Sequence, residues 1–124
     1  MAHFVTIFRS RLRPEHAEQY HHVADRIHQL AVAMPGFVDI KTFAAPDGER
    51  VSIVEFESEA AHNAWREHPE HRMAQKLGRE KFYSEFRIQV CRVERDYSHE
   101  NAPPPQVTPA PSANLPRTVR GGVD

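Results

Sequence analysis

The 124-residue sequence has only one cysteine and five glycines. The single cysteine, Cys91, excludes an internal disulfide and a zinc site made of several cysteines, and it is typical of a chain kept in a reducing compartment. The sequence contains no glycine-rich phosphate loop and no Gly-x-Ser-x-Gly motif. It therefore indicates neither nucleotide binding through a phosphate loop nor a serine hydrolase.

The sequence also has no excess of positive or negative charge and no long apolar run. Sixteen basic residues stand against seventeen acidic ones, for a formal net charge of -1, and no Lys/Arg block is long enough to follow a phosphate backbone. Nucleic acid is therefore not an expected partner. Residues 3–9 have neither the basic-then-apolar order of a signal peptide nor the length of a membrane span, so we expect a cytoplasmic protein without a membrane segment.

Hydrophobic patterns organise the first half of the chain. Residues 3–12 alternate apolar and polar side chains, as a strand does. Apolar residues then recur at helical spacing up to Pro35-Gly36, which predicts an amphipathic helix of about five turns. Residues 37–45 and 50–57 are strand-like and flank Pro46-Asp47-Gly48, a turn signal, so they predict an antiparallel hairpin.

A second helical region follows the hairpin. Ser58 is a good N-cap residue, and Pro69 must kink or restart the helix before a further segment, residues 70–77, ends at Gly78. The residues predicted to share the inner face of the first part are Ala61, Ala64, Trp65 and His68. Residues 85–95 alternate again and predict a last strand.

The predicted order is strand, helix, strand, strand, helix, strand. It is typical of an α+β, ferredoxin-like βαββαβ sandwich, in which the helices cover one face of a four-stranded antiparallel sheet. Both faces of the predicted strands carry apolar residues: Phe4 and Phe8 against Val5 and Ile7, and Phe37 and Phe43 against Val38 and Ile40. The uncovered face would expose an apolar patch, so a homodimer formed through this sheet face is expected.

The chain divides into one folded domain and a tail. Residues 1–97 carry the predicted strands and helices, whereas residues 98–124 are rich in proline and poor in large apolar groups. Such a segment cannot bury enough apolar surface to fold alone. We expect the tail to be extended or disordered unless it lies along a neighbouring subunit.

The region around Pro69 carries the side chains best suited to chemistry. Trp65, the only tryptophan, either fills the core or walls a cavity between helix and sheet. His68 and His71 can each serve as a neutral base near pH 7, or be helix-end histidines bonded to the backbone. No further ligand completes a zinc site at a recognisable spacing, so we expect no metal.

Two further candidates follow Gly78. Arg79 can pair with an anionic oxygen, or be an ordinary surface arginine. Tyr83 offers a phenol that can hold an aromatic substrate, or it packs in the core. Both alternatives stay open from the residues alone.

Several short motifs along the chain resemble a known domain. They are Met34-Pro35-Gly36-Phe37, Glu55-Phe56-Glu57-Ser58, Trp65, His68-Pro69-Glu70-His71, Ala74-Gln75, Gly78-Arg79 and Phe82-Tyr83. In this combination the sequence resembles the antibiotic biosynthesis monooxygenase (ABM) domain over about residues 3–95. The resemblance implies a dimeric α+β barrel built from two ferredoxin-like halves.

The resemblance also implies an activity. Cofactor-independent oxygenases of this family remove a proton from a phenolic or quinol substrate, and the resulting anion reacts with dioxygen without metal or flavin. The protein supplies a dry pocket, a proton acceptor and a donor to the developing oxyanion. By resemblance, Trp65, Phe37 and Tyr83 wall the pocket around a small aromatic molecule. The proton acceptor is then His68 or His71, and the oxyanion donor is Asn63 or Arg79.

Two other functions occur on the same scaffold. One is a noncatalytic module that binds a small molecule or a protein partner, with the histidines as helix-end and surface groups. The other is haem binding or degradation, for which related enzymes use an Asn on the first strand, a Trp on the second helix and a more distant axial His. Here Phe8 stands near the Asn position and Trp65 matches, while His68 and His71 come earlier than the axial ligand, so this function is disfavoured.

Overall fold

The computed structural model describes residues 2–100 and has the predicted order of strands and helices. The elements are β1 (Phe4–Leu12), α1 (Ala17–Ala33), β2 (Phe37–Ala44), β3 (Arg50–Phe56), α2 (Glu59–Arg66), α3 (Pro69–Leu77) and β4 (Tyr83–Arg92). A 3-10 turn, Pro14–His16, leads into α1, and a π-helical turn, Gly78–Phe82, joins α3 to β4. The tail predicted for residues 98–124 lies outside the described residues from position 101 onwards.

The four strands form one antiparallel sheet in the order β2-β3-β1-β4. The fold is therefore α+β and ferredoxin-like, as predicted. The last strand begins earlier than the predicted residue 85, because Tyr83 already pairs with Leu12 of β1 beyond a register shift at Arg11/Leu12. Tyr83 thus belongs to the sheet rather than to a connecting segment.

One face of the sheet packs against the helices. Its strand residues include Thr6, Phe8, Ser52, Val54 and Phe56, all of them buried. From α1 the buried apolar positions are Tyr20, Ala24, Ile27, Leu30 and Ala31, at the helical spacing expected from the sequence. No helix among residues 2–100 is long and apolar enough to cross a membrane.

The start of β2 differs from the sequence prediction. Phe37 and Phe43 were expected on one face, with Val38 and Ile40 on the other. A bulge between Phe37 and Asp39 leaves Val38 as an extra residue, so Phe37 packs on Phe56 with ring centroids 5.9 Å apart while Phe43 stays 49% exposed on the open face. The prediction that Phe37 and Phe43 lie on the same face of β2 is therefore wrong.

The break at Pro69 separates α2 from α3. The Ser58 hydroxyl caps α2 by accepting a hydrogen bond from the Ala61 N–H at 3.1 Å. Pro69 opens α3 at a position where its missing N–H costs no helical hydrogen bond. The predicted restart is confirmed, and it turns α3 so that His71 folds back toward α2.

Candidate active site between the helices and the sheet

The inner face of α2 places Trp65 at the centre of the core. The indole is 0% exposed and packs on Phe56, with ring centroids 5.4 Å apart. His71 of α3 also packs on the indole, with ring centroids 4.2 Å apart, and its Nδ1 is 3.1 Å from the carbonyl oxygen of Trp65. That carbonyl can only accept, so Nδ1 carries the proton and Nε2 is the basic nitrogen of the imidazole.

The inner face of α2 also holds His62, which sequence reasoning missed. His62 is 0% exposed, and its Nε2 is hydrogen-bonded to the Thr6 hydroxyl of β1. Burial is the largest effect on the pKa of His62 and lowers it. A hydrogen bond with the Asn63 side chain raises the pKa in part, the positive charge of Arg66 lowers it, and Glu59 has the smallest effect and raises it. The imidazole is therefore held neutral in the core.

Two predicted candidates on this part of the chain lie away from the core. Asn63 sits on the exposed side of α2, next to the likewise exposed Ala64, which had been predicted to face inward. His68 is the N-cap of α3, and its Nδ1 accepts the Glu70 N–H at 3.1 Å. His68 is therefore a helix-end histidine bonded to the backbone, which was one of the two predicted alternatives. Its partner is a backbone N–H group rather than a carbonyl oxygen.

A cavity of about 70 Å³ opens between the α2–α3 layer and the β4 side of the sheet. We call it the inner cavity. Its lining residues are Phe8, Arg66, Gln75, Arg79, Tyr83, Phe86 and Ile88. The floor is mainly aromatic, because Tyr83 packs edge-on against both Phe8 and Phe86, with ring centroids 5.2 and 5.9 Å away. Flat apolar ligands suit such a floor.

The outer end of the inner cavity is polar. Arg66, Gln75 and Arg79 also line an adjoining cleft of about 310 Å³, together with Glu67 and Arg72. We call this cleft the arginine mouth. Ligand pockets typically enclose about 300–1,000 Å³, so the inner cavity and the arginine mouth together reach the volume of a small-molecule site.

Tyr83 connects the inner cavity to a second tyrosine. Burial raises the pKa of the Tyr20 phenol, while Arg50 and a hydrogen bond with Tyr83 act in the opposite direction. Arg50 also lies over the Tyr20 ring, 5.7 Å from its centroid. The phenol of Tyr20 therefore stays protonated at neutral pH and helps to fix the Tyr83 side chain.

The structure brings only some of the predicted site residues together. Tyr83 and Arg79 line the inner cavity, whereas Trp65 and His71 stack beneath α2 without being part of that lining. Phe37 packs on Phe56 and is likewise absent from the lining. The lining residues that sequence reasoning missed are Phe8 (as pocket floor), Arg66, Gln75, Phe86 and Ile88.

Comparison with known proteins agrees with the fold and the earlier resemblance. Residues 3–77 match the family model described as antibiotic biosynthesis monooxygenase. Protein YqjZ of Bacillus subtilis (strain 168), described as uncharacterised, is 31% identical over 93 residues, which cover 75% of this chain and 81% of YqjZ.

Solved structures share the fold at lower identity. Rv0793 from Mycobacterium tuberculosis has a TM-score of 0.68 and 18% identity, over 77% of this chain and 99% of that chain. SnoaB, a cofactor-independent oxygenase from Streptomyces nogalater, has a TM-score of 0.66 and 15% identity, over 78% of this chain and 98% of that chain. At these identities the likeness shows a common fold.

Proposed function

Because the chain belongs to the antibiotic biosynthesis monooxygenase family, we propose that it is a cofactor-independent monooxygenase acting on a small phenolic or quinol-like aromatic metabolite. The observation that carries the proposal is the inner cavity, with its aromatic floor of Phe8, Tyr83 and Phe86 and its polar outer end. A similar fold in an oxygenase named as cofactor-independent is consistent with it.

The proposed reaction begins with loss of the phenolic proton. The resulting phenolate is electron-rich and reacts with dioxygen at a ring carbon that bears hydrogen. The O–O bond then breaks, so that one oxygen atom stays on that carbon as a quinone carbonyl and the other leaves as water with the displaced hydrogen and the phenolic proton. The protein's part is to bind the ring, accept the proton and stabilise the anion. Tyr83 holds the ring in this proposal, and Arg79 faces the developing negative charge. The aromatic floor keeps the anion away from bulk water, which strengthens its attraction to Arg79.

His71 is the proposed proton acceptor. Its Nδ1 is 3.1 Å from the Trp65 carbonyl oxygen, which leaves Nε2 as the basic nitrogen. His68 is less suited to this role, because its Nδ1 already accepts the Glu70 N–H at the start of α3. Trp65 acts here as a positioning residue that holds the imidazole through their 4.2 Å stack.

A noncatalytic binding module is the second candidate. The observation that favours it is the placement of the histidines: His71 is 0% exposed and does not line the inner cavity, and His68 caps a helix. In such a module the inner cavity would bind an aromatic molecule without a base positioned to ionise it.

Oxygen uptake separates the two candidates. We expect uptake above the autoxidation blank when the full chain is mixed with members of a panel of phenols and quinols. His71→Asn keeps an N–H for the Trp65 carbonyl but lacks a basic nitrogen, so uptake should be lost. His68→Asn, in which Asn remains a good N-cap, is the matched control and should retain uptake. Binding without uptake in the unmodified protein would favour the noncatalytic module.

We further propose that the chain forms a homodimer through the open face of the sheet. Apolar side chains at its centre include Val5, Ile7, Phe43, Val51 and Ile53, of which Phe43 and Ile53 are exposed. Charged pairs surround them, including a bidentate Arg9–Glu49 pair at 2.8 and 2.9 Å. An apolar centre with a polar rim is typical of protein interfaces.

A further inference from the structure

Three arginines converge on the arginine mouth. Arg66 comes from the end of α2, Arg72 from α3 and Arg79 from the π-helical turn. Among residues 2–100, none of the three forms a salt bridge, whereas other arginines of the same chain do. Those paired arginines are Arg9 with Glu49, Arg11 with Asp47 and Arg26 with Glu70.

Arg66 is the most constrained of the three. Its Nε is buried and has no hydrogen-bond acceptor among the described residues, although the side chain as a whole is only partly buried. Gln75 donates from Nε2 to the Arg66 carbonyl oxygen at 3.3 Å, which ties α3 to the end of α2. A buried donor without an acceptor is costly, so an acceptor supplied by a ligand would be favoured here.

The arginine mouth carries more positive than negative side chains. Glu67 is the only carboxylate among the residues that line the inner cavity or the arginine mouth, against Arg66, Arg72 and Arg79. Guanidinium groups present several N–H donors in a plane and bind carboxylates through paired hydrogen bonds. The inner cavity next to them is mainly apolar and aromatic, which suits the ring of a ligand.

From this juxtaposition we infer that the ligand is an aromatic carboxylate. Its ring lies on the floor made by Phe8 and Phe86, and its carboxylate meets Arg66 and Arg79 where the inner cavity joins the arginine mouth. The inference rests on the proposed function for the phenolic character of the ligand, and adds a permanent negative charge that the arginines recognise.

The test compares an acid with its neutral ester. The probes are 2,5-dihydroxybenzoate and its methyl ester, with binding to the full chain measured by calorimetry and oxygen uptake measured in parallel. We expect the acid to bind at least about tenfold more tightly, as charge-assisted hydrogen bonds predict. Arg79→Gln should remove most of that preference. Lys76→Gln removes one positive charge from an exposed position of α3 outside both lining sets and should preserve it.

The outcomes distinguish this inference from the proposed activity. Equal affinity for acid and ester, with oxygen uptake intact, would overturn the inference and leave the monooxygenase proposal standing. Tight binding of the acid that depends on Arg79, without oxygen uptake, would support the inference and contradict the activity. An equal loss of preference in Arg79→Gln and Lys76→Gln would indicate general charge attraction and overturn the inference, as would no binding of either probe.

Discussion

The imidazole of His62 and the hydroxyl of Thr6 form a hydrogen bond in the core, joining α2 to β1, one of the two inner strands of the sheet. Both side chains are 0% exposed. The aromatic rings of Phe4, Phe56 and Trp65 surround the imidazole, with centroids between 6.1 and 6.5 Å away. A protonated His62 would place a charge among these rings, which is why burial lowers its pKa.

The stability of the protein should therefore fall with acid below neutrality. Unfolded His62 has an ordinary pKa of about 6.5, and the folded pKa is lower, so the unfolded state binds the proton first as the pH falls. The contribution of His62 to the free energy of unfolding is fully present above about pH 6.5 and is lost as the pH falls through the folded pKa. Urea unfolding between about pH 8 and pH 5 measures this loss.

His62→Gln is the control for the pH experiment. Glutamine can still hydrogen-bond to Thr6 but cannot titrate, while the other histidines are unchanged. The unmodified protein should lose more stability than the variant on acidification, by at most about 1.4 kcal/mol per pH unit for one proton. Parallel curves would mean that His62 titrates normally and would contradict the burial argument.

Gly36 is predicted to be irreplaceable where the chain passes from α1 to β2. Its φ is 84°, and a Cβ added there would lie 2.7 Å from the Cβ of Ala61. Gly36→Ala should lower the free energy of unfolding by about 2 kcal/mol or more. The strain of a left-handed backbone at alanine and the steric clash with α2 both contribute to this loss. Gly48 has a similar φ of 95°, but its nearest contact would be Arg11 Nη1 at 3.9 Å. Gly48→Ala should cost only about 1 kcal/mol in urea unfolding, and equal losses would contradict the clash.

The proposed dimer interface gives a prediction about assembly. Ile53 is 39% exposed on the open face and lies opposite Lys41 on β2. A glutamate at position 53 can be tolerated beside Lys41 in a monomer, but would bury two charges in the dimer. Sedimentation should show a dimer for the unmodified protein and a monomer for Ile53→Glu. Val32→Glu, at a 50% exposed position on α1, should stay dimeric, and a monomeric unmodified protein at micromolar concentration would refute the interface.

Elements with local signals could be predicted from the sequence, and positions set by docking could not. The long helix followed from the period of Tyr20, Ala24 and Ile27, and the hairpin from Pro46-Asp47-Gly48. The bulge at Val38 could not be predicted, because it depends on how β2 pairs with β3. Extra residues of this kind leave no clear mark in one strand's own pattern.

Only part of the candidate site could be predicted from the sequence, because most of its residues are brought together by the docking of separate elements. His62 was not singled out among the nine histidines of the sequence, although it stands one turn before Trp65 and so shares its face of α2. Arg66 and Gln75 line one cavity only because the break at Pro69 turns α3 back against α2. Arg79 and Tyr83 were identified because they follow Gly78, where a turn can aim side chains back across a pocket.

The most direct test of the account fills the inner cavity. Ile88 lines it, and Val90 lies two residues further along β4 on the same side of the sheet but is not among its lining residues. Ile88→Trp should occupy the space of about 70 Å³ and abolish both the binding of a phenolic carboxylate and its oxygen uptake. Val90→Trp, at a position already 46% exposed, should leave both unchanged. Normal binding and uptake in a folded Ile88→Trp protein would show that the ligand binds elsewhere.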